Sequence, residues 1–187
     1  LMSSLLSKLA LCRPTMVSIA NVVNQYRSKL QQQLSSSPNL SALRQMAVNI
    51  ARNCLNEIEA SRQKVIENGA SLISSEMTIM TCSYSSVVIA CLLRARRQSK
   101  PFNLLAAQSQ LSPHHPAYGE LLIEELAQQN IPGQVFPDKD VENLVGRADL
   151  ILLGADAVRA DGSLINGYPS LKMARAAYNT TKSVPVY

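Results

Sequence analysis

Four short apolar runs in the second half of the chain decide what it can fold into. "MTIMT" (77–81), "FNLLAA" (102–107), "GQVF" (133–136) and "DLILLG" (149–154) each fit one buried strand, and helical segments near 85–98, 117–129 and 140–147 separate them. Parallel strands cannot be joined by a tight hairpin, so this alternation predicts crossover helices and a doubly wound, mainly parallel sheet of the Rossmann-like α/β class. In such sheets ligands sit beyond the carboxyl ends of the strands, where loops and helix N-termini face an open crevice. Two segments fall there: "TCSYSS" (81–86) after the first strand and "GADAVRADGSLING" (154–167) after the fourth. The last residues, "VPVY" (184–187), read as another strand beginning, so the sheet is expected to be truncated on its C-terminal side.

The first half follows a different period. Leu43, Ala47, Ile50, Cys54, Ile58, Val65 and Leu72 recur at helical spacing, the stripe of one long amphipathic helix. "RPTMVSIANVVNQYRSKL" (13–30) reads as a second helix with Pro14 in its first turn, where a missing N–H costs nothing, and "SSSPN" (35–39) as the turn between the two. The opening "LMSSLLSKLALC" reads as helix rather than signal peptide, since it lacks a cleavage site. The expected organisation is a helical domain over 1–76 and an incomplete Rossmann-like domain over 77–187.

Composition removes several functions. Apolar residues make up 47%, but no uninterrupted run reaches the ~18 to 20 residues of a membrane span, so no membrane partner is expected. Cys12, Cys54, Cys82 and Cys91 form no CxxC pair and only two histidines accompany them, which argues against a zinc site and a disulfide framework and for a reducing, cytoplasmic setting. The net charge is +5 and uneven, with 8 basic against 4 acidic residues before residue 77 and 10 against 9 after it. Six Tyr, two Phe and no Trp leave little surface for bases to stack on, so direct nucleic-acid binding is not expected. Neither GxGxxG nor GxxxxGK[ST] occurs, and no cofactor is expected. His114 and His115 in "SPHHPAYG" read as a Pro-bounded loop, and "RARRQSK" (94–100) as basic residues complementing a helix C-terminus.

Within this frame, "DLILLGADAVRADGSLIN" (149–166) followed by "MARAAYNTTKSVPVY" (173–187) resembles one superfamily in an ungapped strand, GAD turn, hairpin and Asn. It is that of the regulatory alpha, beta and delta subunits of eukaryotic translation initiation factor 2B and of the methylthioribose-1-phosphate and ribose-1,5-bisphosphate isomerases. "RPTMVSIANVV" (13–23) is similar to the family's "RPTAV" helix start, and the resemblance runs from Arg13 to Tyr187. "TCSYSSVV" and "QSQ" look closer to the "THAYSRVV" and "ESQ" of the alpha-type subunit than to the isomerases.

The resemblance implies specific chemistry. The isomerases open an aldose 1-phosphate and move a proton between adjacent carbons, with a cysteine after "T-H" as base and the GAD aspartate as acid, each tuned by burial. Asp156 occupies the acid position, Ser83 the cysteine position, and Cys82 the place of the histidine. A serine hydroxyl without a neighbouring base is a poor proton acceptor. Strand periodicity turns Cys82 toward the opposite face. The same residues also carry structural readings: Cys82 as a small buried apolar group, Ser83 as a helix cap, Asp156 as a turn cap.

Arg13 matches the family's phosphate-contacting arginine, while Tyr84, Ser85, Ser86, Gln110, Asn166 and Gly167 complete the candidate ligand set. Asn166-Gly167 stands where the isomerases have Asn-Lys, whose lysine holds phosphate, and Gln108 and Gln110 replace the charged "TETR" segment of the methylthioribose enzymes. The reading is therefore a non-catalytic, regulatory-subunit-like protein. It is expected to assemble as a homodimer or with related subunits and to offer its crevice to a sugar phosphate or nucleotide. The alternative is an aldose–ketose isomerase using Asp156 and an unusual base.

Overall fold

The computed structural model describes residues 2–14, 16–34 and 39–187. The chain divides into two compact units, Leu1–Gln63 with Asp156–Leu164, and Lys64–Ala155 with Ile165–Tyr187.

The first unit is built on α1 (Met2–Leu11), α2 (Val17–Leu34) and the first three-quarters of α3 (Leu40–Ser71). Pro14 lies ahead of α2 rather than in its first turn: Met16 N–H bonds Arg13 C=O at 2.9 Å, and this turn delivers the chain to a helix that begins at Val17. Of the expected turn at 35–39, residues 35–38 lie outside the described residues, and Asn39 caps α3 by accepting the Ala42 N–H at 2.9 Å. Leu30 packs with Ile50 and Cys54, flanked by Tyr26, Met46 and Ala47. Of the stripe expected along α3, Ala47, Ile50 and Cys54 join this cluster, Leu43 is half-buried and Leu72, just past the helix, packs on the core of the second unit, but Ile58 and Val65 are exposed. The reason is a change of neighbour, because Ile66, Ala70 and Ile73 belong to the core of the second unit and present a different helix face.

All four apolar runs form strands in the second unit: β1 (Thr78–Thr81), β2 (Asn103–Ala107), β3 (Gln134–Phe136) and β4 (Leu150–Ile151). They pair in parallel in the order β3-β2-β1-β4, with Met80 opposite Leu105 on one side and Ile151 on the other. The crossovers are α4 (Ser86–Arg97), α5 (Tyr118–Ala127) and a broken helix in which 3-10 turns flank the short α6 (Val141–Leu144). Beyond β4 a separate hairpin of β5 (Ala157–Val158) and β6 (Leu164–Ile165) leads to α7 (Ser170–Asn179). Val186 bridges Ile151 in parallel, and Tyr187 N–H bonds Ile151 C=O at 2.9 Å, so 184–187 runs along β4 as a strand would.

Alternation along the strands sorts their side chains into two cores. Ile79, Leu104, Ala106 and Leu150 face α3, α4 and α5, whereas Met80, Cys82, Leu105, Ala107 and Ile151 face Phe136, Val141, Val145 and α7. The sheet is covered on both sides, as the doubly wound class requires. At its amino end Asp149 accepts the Thr78 N–H and pairs with Lys182, both at 2.8 Å. Among the described residues no helix is long and apolar enough to cross a membrane.

Candidate functional site

The strand order reverses direction between β1 and β4, and the segments leaving their carboxyl ends lie where sheets of this class place a ligand crevice. Leaving β1, the backbone turns sharply: Ser83 adopts φ 63°, in the left-handed region that a non-glycine residue enters only when held there. Its holder is Ser109, itself at φ 55°, whose hydroxyl accepts the Ser83 N–H at 2.7 Å and donates to Ala107 C=O at 3.0 Å. The buried Asp138 carboxylate in turn accepts the N–H groups of Ser109 at 2.7 Å and Gln110 at 3.0 Å. A continuous polar chain thus stitches the loops after β1, β2 and β3 together.

The residues singled out in the sequence separate into distinct environments. Ser85 caps α4, its Oγ accepting the Val88 N–H at 3.4 Å, so the cap is Ser85 rather than Ser83; Ser86 is the exposed first residue of α4. A Cβ on Gly154 would lie 2.8 Å from Ser85 Oγ and 3.9 Å from Asn166 Oδ1, and one on Gly167 would lie 3.6 Å from Ser83 Oγ. Ser83, Ser85, Gly154, Asn166 and Gly167 therefore converge, and the missing side chain of Gly154 allows Ser85 its close approach. Asn166 contributes a buried Nδ2 with no hydrogen-bond partner among the described residues. Such an orphaned donor is what an oxygen-bearing ligand would satisfy.

Cys82 is not in this crevice. It is 1% exposed within the apolar core, and burial, with the negative charge of Asp138 as a lesser cause, pushes its thiol up to about 12. At neutral pH it is a thiol, not a base. Ser83 has no hydrogen-bonded basic side chain among the described residues, so nothing there activates its hydroxyl.

Tyr84 is exposed and donates its phenolic hydrogen to Glu125, a bond that also raises the phenol's pKa. Gln110 braces its own loop, its Nε2 donating to His115 C=O at 2.9 Å and its Oε1 accepting from Gln108 at 3.4 Å. His115 Nδ1 meets Ser112 Oγ at 2.8 Å. Asp156 and Arg13 belong to the first unit and are exposed. No hydrogen bond to the Asp156 carboxylate occurs among the described residues, so it does not cap its turn; Asp161 does that work in the hairpin, accepting Ser163 N–H at 3.0 Å. Arg13 Nη1 reaches Met16 Sδ at 3.4 Å.

Ser109 and Asp138 are not among the candidate residues of the sequence, and Gly154 stands there only as part of the GAD turn. A signal existed for Asp138: an acidic residue directly after "VFP", at the carboxyl end of a buried strand, sits where a parallel sheet places its loops.

A parallel sheet of order 3-2-1-4, helices on both faces and loops that meet at the switch point define a Rossmann-type α/β protein with a helical N-terminal unit. The chain belongs to the initiation factor 2 subunit family, whose model matches residues 1–187. It is 28% identical over 166 residues to the ribose 1,5-bisphosphate isomerase of Archaeoglobus fulgidus, covering 88% of this chain and 50% of that protein. It is 26% identical over 170 residues to the translation initiation factor eIF2B subunit alpha of Caenorhabditis elegans, covering 91% and 54%. A chain of the tetrameric eIF2B-beta2-delta2 complex from C. thermophilum shares the fold with TM-score 0.79 and 24% identity, over 94% of this chain and 55% of that one. The chain thus spans about half the length of these relatives.

Proposed function

We propose that this chain is a non-catalytic, regulatory-subunit-like member of its family that works in the cytoplasm through assembly with copies of itself or with related subunits. Its crevice serves as a binding pocket for a sugar phosphate or nucleotide. One observation carries the reading: the position that needs a proton-accepting thiolate is a serine with no base beside it, while the adjacent thiol is buried and pushed up to about 12. Proton transfer between neighbouring carbons requires a base whose pKa lies near the working pH. The orphaned Asn166 Nδ2 supports retained ligand binding, and the tetrameric complex among its structural relatives supports assembly.

A second reading is favoured by the isomerases among its relatives. In it Asp156 acts as the acid of an aldose–ketose isomerase on a ribose 1-phosphate derivative, with a base other than Cys82. The deciding experiment combines a thermal-shift panel of pentose phosphates and nucleotides with a turnover assay on a pentose 1-phosphate. A ligand binding only the folded state raises Tm by mass action. A shift that Asn166→Ala removes, without turnover, is the expected result. Turnover abolished by Asp156→Asn and indifferent to Ser83→Ala would replace this reading with the second.

A further inference from the structure

The face of α3 beside its buried stripe is apolar and open. Val48, Leu55 and Ile58 are 46%, 63% and 39% exposed, with half-buried Ala51 between them. Their spacing places them on the a and d positions of a heptad, a seam that straight helices use to pair with one another. Beside the seam stand two exposed residues of opposite charge, Arg52 and Glu59, one heptad apart.

We propose that this face pairs two copies of the chain as an antiparallel helix pair, an inference that rests on the assembly reading above and gives it a surface. In a two-fold arrangement centred between Asn56 and Glu57, Leu55 of each copy packs on Ile58 of the other, and the aliphatic stem of Arg62 covers Ala51. Charge pattern selects this orientation. Antiparallel pairing brings Arg52 of each copy against Glu59 of the other, twice by symmetry, whereas parallel pairing would set them against Ala47 and Cys54. Glu59 already holds Arg62 at 3.3 Å within its own helix, and the incoming Arg52 joins that pair.

Sedimentation velocity of the 187-residue chain across the micromolar range tests it. The wild type shifts from one chain toward two with concentration. Leu55→Asp weakens association at least about tenfold, with an unchanged circular dichroism spectrum. Arg52→Glu weakens it several-fold, and Arg52→Glu with Glu59→Arg restores it, a rescue that mere destabilisation would not produce. A dimer untouched by Leu55→Asp overturns this surface and leaves the assembly reading standing. A failed rescue overturns the antiparallel register, and a monomer at every concentration overturns both the surface and self-assembly.

Discussion

Replacing Gly154 with alanine would put a methyl group 2.8 Å from Ser85 Oγ and 2.9 Å from Ser85 Cβ, closer than carbon atoms approach without displacement. The hydroxyl could rotate away, but the Cβ is fixed to the cap of α4 and cannot. Overpacking of this kind costs about 1–3 kcal/mol. Moving Ser85 also strains its bond to Val88 N–H, which at 3.4 Å is long and belongs at the low end of cap energies, about 0.5 kcal/mol. Alanine stiffens the unfolded chain and returns about 0.4–1 kcal/mol, leaving a net loss of about 1–3 kcal/mol. Ser85→Gly removes both colliding atoms, and glycine is a tolerable cap at a cost of only a few tenths of a kcal/mol. In that background Gly154→Ala should be neutral or slightly stabilising. Urea unfolding of the four proteins should therefore give a coupling of about 2 kcal/mol. Equal costs of Gly154→Ala in both backgrounds, within about 0.5 kcal/mol, would refute the claim that the loop after β4 and the cap of α4 meet at this glycine.

Asp138→Ala should cost about 2–4 kcal/mol in the same assay, because the buried Ser109 N–H loses its acceptor and the half-buried Gln110 N–H loses another; a loss under about 1 kcal/mol would contradict the stitching role. Cys82 should resist iodoacetamide at pH 8 while exposed Cys12 reacts, and equal labelling rates would contradict its burial. Because its folded pKa is raised from 9.0 to about 12, its stabilising contribution is intact below pH 9 and is lost as pH climbs toward 12. By pH 10 the loss is on the order of 1 kcal/mol, and Cys82→Ala should flatten that part of the profile.

The sheet was legible because each strand is a short apolar run bounded by turn residues, and the parallel pairing followed from the helices between them. The burial of Cys82 was legible too, since alternation from Met80 fixes its face. Harder to read was α3, whose single hydrophobic stripe conceals two packing faces: periodicity reports that a face is buried, not which neighbour buries it. The broken helix around α6 escaped for a related reason, as Val141, Leu144 and Val145 satisfy helical spacing although only one turn is α-helical. The polar chain through Asp138, Ser109 and Ser83 escaped because it joins residues far apart in sequence through backbone N–H groups, which no side-chain pattern announces.

β1 is the innermost strand, yet its two flanks are filled at different moments of synthesis. Its ladder to β2 closes once Leu105 has emerged, whereas its ladder to β4 waits for Ile151. The longer closure carries only about 1 kcal/mol of additional entropy, so equilibrium is hardly affected. Time is affected more: at ~5–20 residues per second, one side of β1 stays unpaired for roughly several seconds on each ribosome. During that interval Ile79 and Met80 offer an open apolar edge to neighbouring nascent chains. Slowing translation after residue 107 should therefore lower the yield of folded protein in a crowded cell while leaving the purified protein's stability untouched.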